Sequence, residues 1–551
     1  MAKSLAYLGP LEKEGDIIYR FINSRGPVAV DTETVSLKNN QPVGIGVQIS
    51  DEDRYYFRVF PEPSEYLGLV IAMLEDKDRT KIYHNAKFDL EVLESICNPE
   101  DISIEDTYLM VRCMGLPAGL QFIGENLLGF NNLFSIQDLI EQCQEIGIKR
   151  PTMLDVGWEG LAQKCMNDVL CTWEGYKWLQ EHMDIRMKEC YEVDRQLIHL
   201  LRDMEKKGLG LNQDLLWGKH QELTYKCESF ELTCYDLGFN PGSNQQVGMY
   251  LAQAGIVLPL TRSKKSLSVD EETLEGVDHP IADQVLQYRK SKKLLSTYID
   301  PWLGESRATT KFRGDLSTGR LASYDRNLQN IPPDMRIIFV PDNGIFTWID
   351  YSQIEMRLFA YLSGDQNMLW AYAQNEDIHY ITQSTLWPGS SKDDENKRTI
   401  AKTFNFAMIY LAKAGTLAAH TKLPYQTANR YRNLWLSLYP QGHQWMLEQT
   451  ELEEPYSTTM FGRRMRLPDE EINPVHVQKC RINYPIQGTA ADIIKRAMLR
   501  LYELGDMRLQ VHDELVFDGN VQRGIFDRAR IEDILEGLKL PFGYKQGRIW
   551  M

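Results

Sequence analysis

Leu509-Gln510-Val511-His512-Asp513-Glu514-Leu515-Val516-Phe517 is the stretch from which the fold can be read. Two apolar arms flank His512-Asp513, which predicts a β-hairpin with acids at its tip. A second run, Phe346-Thr347-Trp348-Ile349-Asp350-Tyr351-Ser352-Gln353-Ile354-Glu355, predicts a strand ending at Asp350, then a turn and a helix. Two strands can thus present Asp350 and Asp513 to one pair of divalent ions. Such a pair suits nucleotidyl transfer: one ion activates a hydroxyl, the other holds a triphosphate and the departing pyrophosphate.

Between these runs lie Arg398, Lys402, Phe406 and Tyr410, each four residues after the last. On an α-helix a step of four drifts by only about 40°, so they form a slowly turning stripe on one side. Two cations followed by two rings suit a nucleoside triphosphate, with charge for the phosphates and ring faces for sugar and base. The cationic end argues against a purely buried face.

The N-terminal third carries a second constellation. Val28-Ala29-Val30-Asp31-Thr32-Glu33 is an apolar strand ending in two acids, and residues i and i+2 of a strand share a face. His84-Asn85-Ala86-Lys87-Phe88-Asp89 joins another strand to a helix, and Asp168 lies in a predicted helix. Four acids from three segments can hold two ions for phosphodiester cleavage.

The 551 residues allow several domains, with 43% apolar and 25% charged content. No run reaches the roughly 18 apolar residues of a membrane helix, and the N-terminus lacks signal-peptide character. Nine cysteines without a CxxC pair read as buried free thiols of a reducing compartment. The net charge of −16 does not favour nucleic-acid binding by itself, but basic clusters occur at Arg289–Lys293 and Arg463–Arg466. Strands fill 28–60, mostly helix follows to about 185, long amphipathic helices run to about 300, and strands and helices mix thereafter.

The set DxE, NxxxD and a helical Asp resembles the DEDD superfamily of 3′–5′ exonucleases. That resemblance implies Asp31, Glu33, Asp89 and Asp168 as metal ligands. It departs at Lys164, where proofreading relatives carry a Tyr four residues before the last Asp. The motifs DYSQIE, RxxxKxxxFxxxY and VHDE, in that order, resemble the family A DNA polymerases of the polymerase I type, phage replicases included. Asn240-Pro241-Gly242-Ser243, Thr318-Gly319-Arg320-Leu321, Asp377-Ile378-His379, Phe461-Gly462-Arg463-Arg464 and Asn483-Tyr484-Pro485-Ile486-Gln487-Gly488 belong to the same pattern, which runs from about 205 to the end.

The resemblance implies an α/β multidomain protein: a ribonuclease H-like exonuclease domain over 1–185, then a right-hand polymerase domain over 186–551. The thumb would cover about 186–310, the palm about 311–365 and 440–551, and the fingers about 366–439. It implies Asp350 and Asp513 as metal ligands supported by Glu514, with two Mg²⁺ per site and Mn²⁺ as a substitute. Arg398, Lys402, His379, Phe406, Tyr410, Gln353 and Glu355 would meet the incoming nucleotide, Lys402 also protonating the pyrophosphate. Arg320, Asn483, Gln487, His512, Arg289 and Lys293 would hold primer–template DNA.

Ser352-Gln353-Ile354-Glu355 also reads as a capping box; the resemblance implies that Glu355 blocks a ribose 2′-hydroxyl, and a capped Glu is held rigidly enough to do so. Phe406 implies discrimination against nucleotides lacking a 3′-hydroxyl. Leu411 stands where the family has Gly, which tolerates a bend that Leu resists. The expected partners are dNTPs and primer–template DNA, with helicase or single-strand-binding proteins of a replisome. A monomer is expected, without membrane association, in the cytoplasm of a phage-infected bacterium and without a preceding 5′-nuclease domain. The expected activity is template-directed DNA synthesis with 3′–5′ proofreading, and two alternatives stay open: a polymerase whose exonuclease fold is weak or kept only for structure, which Lys164 keeps open, and a catalytically dead scaffold, which the intact Asp350, Asp513, Arg398 and Lys402 oppose.

Overall fold

Val28–Ser36 is the central strand of the first unit. It runs antiparallel to Asn39–Gln48 and parallel to Lys81–Tyr83; Arg54–Arg58 and Ile104–Asp106 complete a five-stranded sheet at its two edges. The chain was analysed as a computed structural model, which describes residues 14–551 except 37–38, 100–101, 132, 134, 146, 150, 262 and 470.

Alternation along the central strand decides which side chains meet. Ala29 packs with Ile82, Val169 and Trp173 on one face. Val28 and Val30 pack with Val70, Leu74, Leu90 and Leu93 on the other. With a period of two, Asp31 and Glu33 share the face of Ala29 and look onto the helix Trp158–His182. Gly46, opposite Asp31 in the sheet, allows that helix to approach: a Cβ there would lie 2.6 Å from the Cys165 sulfur.

Ile185–Lys207 is the next helix, capped by Asp184, which accepts from the Met187 N–H at 2.9 Å. It joins the first unit to the second. The expected interruptions near 208 and 240 are real: Leu209–Leu211 is a short strand, and the helices Gln213–Asp236, Asn244–Gln253 and Pro280–Leu294 follow. Further on, a four-stranded antiparallel sheet places Phe346–Tyr351 between Glu514–Asp518 and Phe542–Gly547, with Asp506–Val511 outside. Helices between 366 and 450 pack against the helix Ile354–Ser363 and share one hydrophobic core with the sheet, and the 28-residue helix Pro474–Leu501 returns to the sheet region. Among the described residues no helix is long and apolar enough to cross a membrane.

A buried ionic cluster fastens the two units. Asp194, on the joining helix, accepts from Arg463 at 2.6 and 3.1 Å and from Lys495 at 2.8 Å. Arg463 also holds Asp492 at 2.7 Å, and Cys113 of the first unit lies against the same guanidinium at 3.3 Å. Two cations and two anions balance, so the desolvation of each is offset by a partner. Arg463, quoted above within a basic cluster, is therefore interior and unavailable to phosphate.

Removing one member leaves an uncompensated buried charge. We predict that Asp194→Ala lowers the unfolding free energy by about 3–5 kcal/mol at neutral pH, whereas Lys226→Ala, on the surface, changes it by about 0.5 kcal/mol or less. Burial alone would raise the Asp194 carboxyl, but Arg463 and Lys495 outweigh it and hold it well below the usual range. Its contribution is thus present above the unfolded carboxylate pKa of about 3.9 and is lost as pH falls through the depressed folded value. Urea melts of both variants at several pH values check this.

Candidate active site

Register brings Asp350 and Asp513 together. Asp350 pairs with Glu514 on one side and Gly543 on the other. Val511 pairs with Glu514, which leaves His512 and Asp513 as a two-residue turn, with His512 at φ 54°. The Tyr351 N–H then donates to the Asp513 carbonyl at 3.1 Å and straps the tip to the end of the Asp350 strand. Glu514, the cross-strand partner of Asp350, is held: Trp550 Nε1 donates to it at 2.7 Å, and Arg336 lies 3.5 Å off.

Among the described residues neither the Asp350 nor the Asp513 carboxylate has a hydrogen bond or ion pair. Burial raises Asp513 to about 7, helped by the charges of Glu355 and Asp350 and opposed by Arg320. Burial also raises Asp350, moderated by Lys545 and Lys402. Two crowded, unpartnered carboxylates fit hard divalent cations, which take oxygen ligands and supply the missing positive charge.

The expected stripe lies on the helix Glu395–Met408 and just past its end. Ala401, Phe404, Asn405 and Met408 form its buried face, so Arg398, Lys402, Phe406 and Tyr410 point elsewhere, and Lys402 is exposed. Arg398 pairs with Asp377, which also caps the next helix back by accepting from the His379 N–H at 3.0 Å. The His379 ring rests on Phe406, with centroids 5.8 Å apart.

The tautomer of His379 follows from its neighbours. Trp435 Nε1, which can only donate, points at Asn405 Oδ1 at 2.7 Å. Asn405 Nδ2 therefore faces His379 Nδ1 at 2.9 Å and donates to it. The ring proton sits on Nε2. Burial pushes the imidazole down to about 4, so His379 is a neutral donor rather than a charge.

Glu355 corrects one expectation. The helix Ile354–Ser363 is entered through Gln353, in left-handed conformation at φ 57° and without a side-chain cap bond. Glu355 is thus the second residue of the helix, one short of the position that reaches back in a capping box. Its carboxylate instead binds Arg320 and the Tyr410 hydroxyl. Gln487 lies 3.5 Å from the same hydroxyl, and Tyr372 donates to Gln353 at 3.2 Å. Asn483, one turn from Gln487, has an amide oxygen that is buried without a partner among the described residues.

Leu411 sits at φ 55°, so the bend expected of a Gly is made here by a Leu. Such a conformation costs about 1–2 kcal/mol. Arg289 also departs from expectation. Its guanidinium is engaged by the Val269 carbonyl and by Asn244, as a brace within the helical region. Lys290, Lys292 and Lys293 around it are exposed.

At the other constellation, Asp31, Glu33 and Asp168 gather around Lys164. Its ammonium lies 2.7 Å from Glu33 and 2.6 Å from Asp168. Burial opposes that charge, but Glu33, Asp168 and Asp31 outweigh it and hold it well above the usual lysine range. The Cys165 thiol lies 3.3 Å from Asp31, and its own burial keeps it a protonated thiol. Asp89 accepts from the Thr32 N–H and hydroxyl at 3.0 and 2.7 Å, and burial raises it to about 7. Asp31, Glu33 and Cys165 offer ligand atoms within 4.8 Å of one another, but a bound ammonium and a soft, protonated thiol suit a two-ion oxygen site poorly.

Asn405, Asp377, Arg336, Trp550 and Cys165 had no assigned role in the sequence. Asn405 left a signal there, as a polar residue on the buried side of the stripe helix, and Asp377 left one as part of the Asp377-Ile378-His379 motif.

Because the folded Asp513 carboxyl is raised above its unfolded value, its ionisation destabilises the fold as pH rises from about 4 through about 7. In chelator, Asp513→Asn should therefore raise stability at about pH 8 by up to about 4 kcal/mol, at about 1.4 kcal/mol per pKa unit. The gain should vanish at about pH 4. Thermal melts at the two pH values check the sign.

Comparison with known proteins gives the family and the fold. Residues 213–536, more than half of the chain, match the model of DNA polymerase family A, and residues 11–184 match that of the 3′-5′ exonuclease family. The thermostable DNA polymerase I of Thermus thermophilus is 34% identical over 393 residues, covering 65% of this chain and 47% of that protein. DNA polymerase I of Chloroflexus aurantiacus is 31% identical over 550 residues, covering 91% and 58%. The chain thus spans about half the length of the curated relatives it matches. A solved structure, the POL domain of Pol1 from M. smegmatis in complex with DNA primer-template and dNTP, superposes with a TM-score of 0.78 at 22% identity, over 98% of both chains, and so shares the fold. By its sequence motifs, its sheet-end carboxylates and the family match, the chain belongs to DNA polymerase family A.

Proposed function

We propose that this chain is a template-directed DNA polymerase that adds deoxynucleotides to a primer 3′-hydroxyl. The observation that carries this reading is the pair of unpartnered, crowded carboxylates, Asp350 and Asp513, with Asp350 within electrostatic range of Lys402. Two divalent cations, Mg²⁺ or Mn²⁺, would supply activation of the hydroxyl and charge for the triphosphate. Asp350 and Asp513 hold them, while Glu514, fixed by Trp550 and Arg336, keeps the hairpin tip in place.

Arg398 and Lys402 meet the phosphates as charges, and His379 meets them as a neutral Nε2–H donor. Arg398 is released to a triphosphate only if Asp377 shares it. Lys402, exposed and without an ion pair among the described residues, is free to give a proton to the leaving pyrophosphate. Phe406 and Tyr410 receive sugar and base. Glu355, fixed by Arg320 and Tyr410, is the wall against a 2′-hydroxyl. Asn483, Gln487, His512 and Lys293 contact primer and template, and Arg320 reaches the junction from its pair with Glu355.

The chain divides, on this reading, into an exonuclease-fold unit over 1–185, a thumb over about 186–310, a palm over about 311–365 and 440–551, and fingers over about 366–439. The relatives named above are bacterial, so a phage source and replisome partners form no part of the proposal. For the N-terminal unit, a structural role is the reading that Lys164 favours.

A labelled primer on a longer template should lengthen with Mg²⁺ and dNTPs; no lengthening sinks the proposal. Asp350→Ala should abolish extension while leaving DNA binding intact. Lys402→Ala should slow single-turnover extension by about 10²–10⁴-fold, the usual contribution of a general acid. Glu355→Ala should admit ribonucleotides that the parent chain rejects.

A further inference from the structure

The two acid clusters of this molecule are made of the same residue types, and burial raises carboxyls in both, but they differ in whether a side-chain cation sits among the acids. At the sheet end, Asp350 and Asp513 lack partners among the described residues. In the N-terminal unit, Glu33 and Asp168 already share a cation, the Lys164 ammonium, at 2.7 and 2.6 Å. The contact is built into the backbone. Lys164 and Asp168 are one turn apart on the helix Trp158–His182, and Glu33 lies on the strand face that this helix covers. The side chains of Lys164 and Glu33 are only 15% and 6% exposed, so the pair is largely withdrawn from water.

The other two acids are committed as well. Asp31 receives the Cys165 thiol. Asp89 is tied by both donors of Thr32, the residue that faces the opposite side of the strand from Asp31 and Glu33. We propose that Lys164 is a resident cation that stands in for a divalent ion between Glu33 and Asp168, so that the N-terminal unit folds without metal and does not shorten DNA. This rests on the structural reading of that unit given above.

The remaining contacts say what such a unit is for. Lys87 binds Glu205 on the joining helix and the Phe312 carbonyl of the second unit. Arg112 donates to the Asp315 and Leu316 carbonyls at 2.7 and 2.8 Å. Those carbonyls belong to the segment that leads into Arg320. The exonuclease fold therefore acts as a brace behind the residues that hold Glu355.

The test uses Mn²⁺ as the probe on the full chain carrying Asp350→Ala and Asp513→Ala, with free Mn²⁺ read by electron paramagnetic resonance. Adding Lys164→Met, which keeps the stem and removes the charge, should tighten Mn²⁺ binding by at least about tenfold, because site affinity follows ligand charge count. Adding Asp31→Ala to the Lys164 chain should change nothing. If the Lys164 chain binds Mn²⁺ at a site that Asp31→Ala removes, the proposal is overturned, and that arm decides even if Lys164→Met does not fold. Shortening of a labelled single strand by the parent chain in Mg²⁺, lost in Asp31→Ala, overturns it equally. Primer extension by the parent chain is scored separately, so a failed polymerase reading cannot be mistaken for a failure here.

Discussion

Asp350 and Asp513 repel one another and are nevertheless held side by side, and most of the second unit serves that constraint. Antiparallel register sets Asp350 opposite Glu514. A two-residue turn then puts Asp513 beside it, and the Tyr351 N–H closes the arrangement on the Asp513 carbonyl. Strands with paired backbones and buried side chains on both faces are stiff enough to bear the repulsion. Glu514 stands opposite Asp350 in the same crowd and is held there by Trp550 and Arg336. The result is stored electrostatic strain that, on the proposed function, a divalent cation would relieve.

The N-terminal unit shows what happens when a side chain does. Lys164 neutralises part of an acid cluster that has nearly the same logic. One lysine at the fourth residue before Asp168 places a cation between Glu33 and Asp168, although burial still raises the Asp31 and Glu33 carboxyls. The two clusters bracket the joining helix, whose Asp194 forms the buried cluster with Arg463, Asp492 and Lys495. That cluster couples the position of the first unit to the helix Pro474–Leu501, which carries Asn483 and Gln487.

The elements legible in the sequence were those with a strict period. The three strands of 28–60, the Asp350 strand and helix, the hairpin around Asp513 and the Arg398–Tyr410 stripe all lie where alternation or a step of four put them. What could not be read were contacts between segments far apart in the chain. The Glu355 capping box failed because Gln353 takes a left-handed conformation and shifts the helix start by one residue, which no local pattern announces. Arg289 and Arg463 looked like surface cations, and only the folded chain supplies the Val269 carbonyl and Asp194 that take them inside. Lys164 was visible as a departure, but its two partners come from a strand 131 residues away and from its own helix.

The account stands on which acids carry divalent cations. The direct measurement is the number of tightly held Mn²⁺ ions per chain in a complex with dNTP and a primer lacking its 3′-hydroxyl, read in the parent chain, in Asp350→Ala and in Asp31→Ala. The account predicts about two ions, lost in Asp350→Ala and untouched by Asp31→Ala. Ions that survive Asp350→Ala, or that disappear in Asp31→Ala, would contradict it.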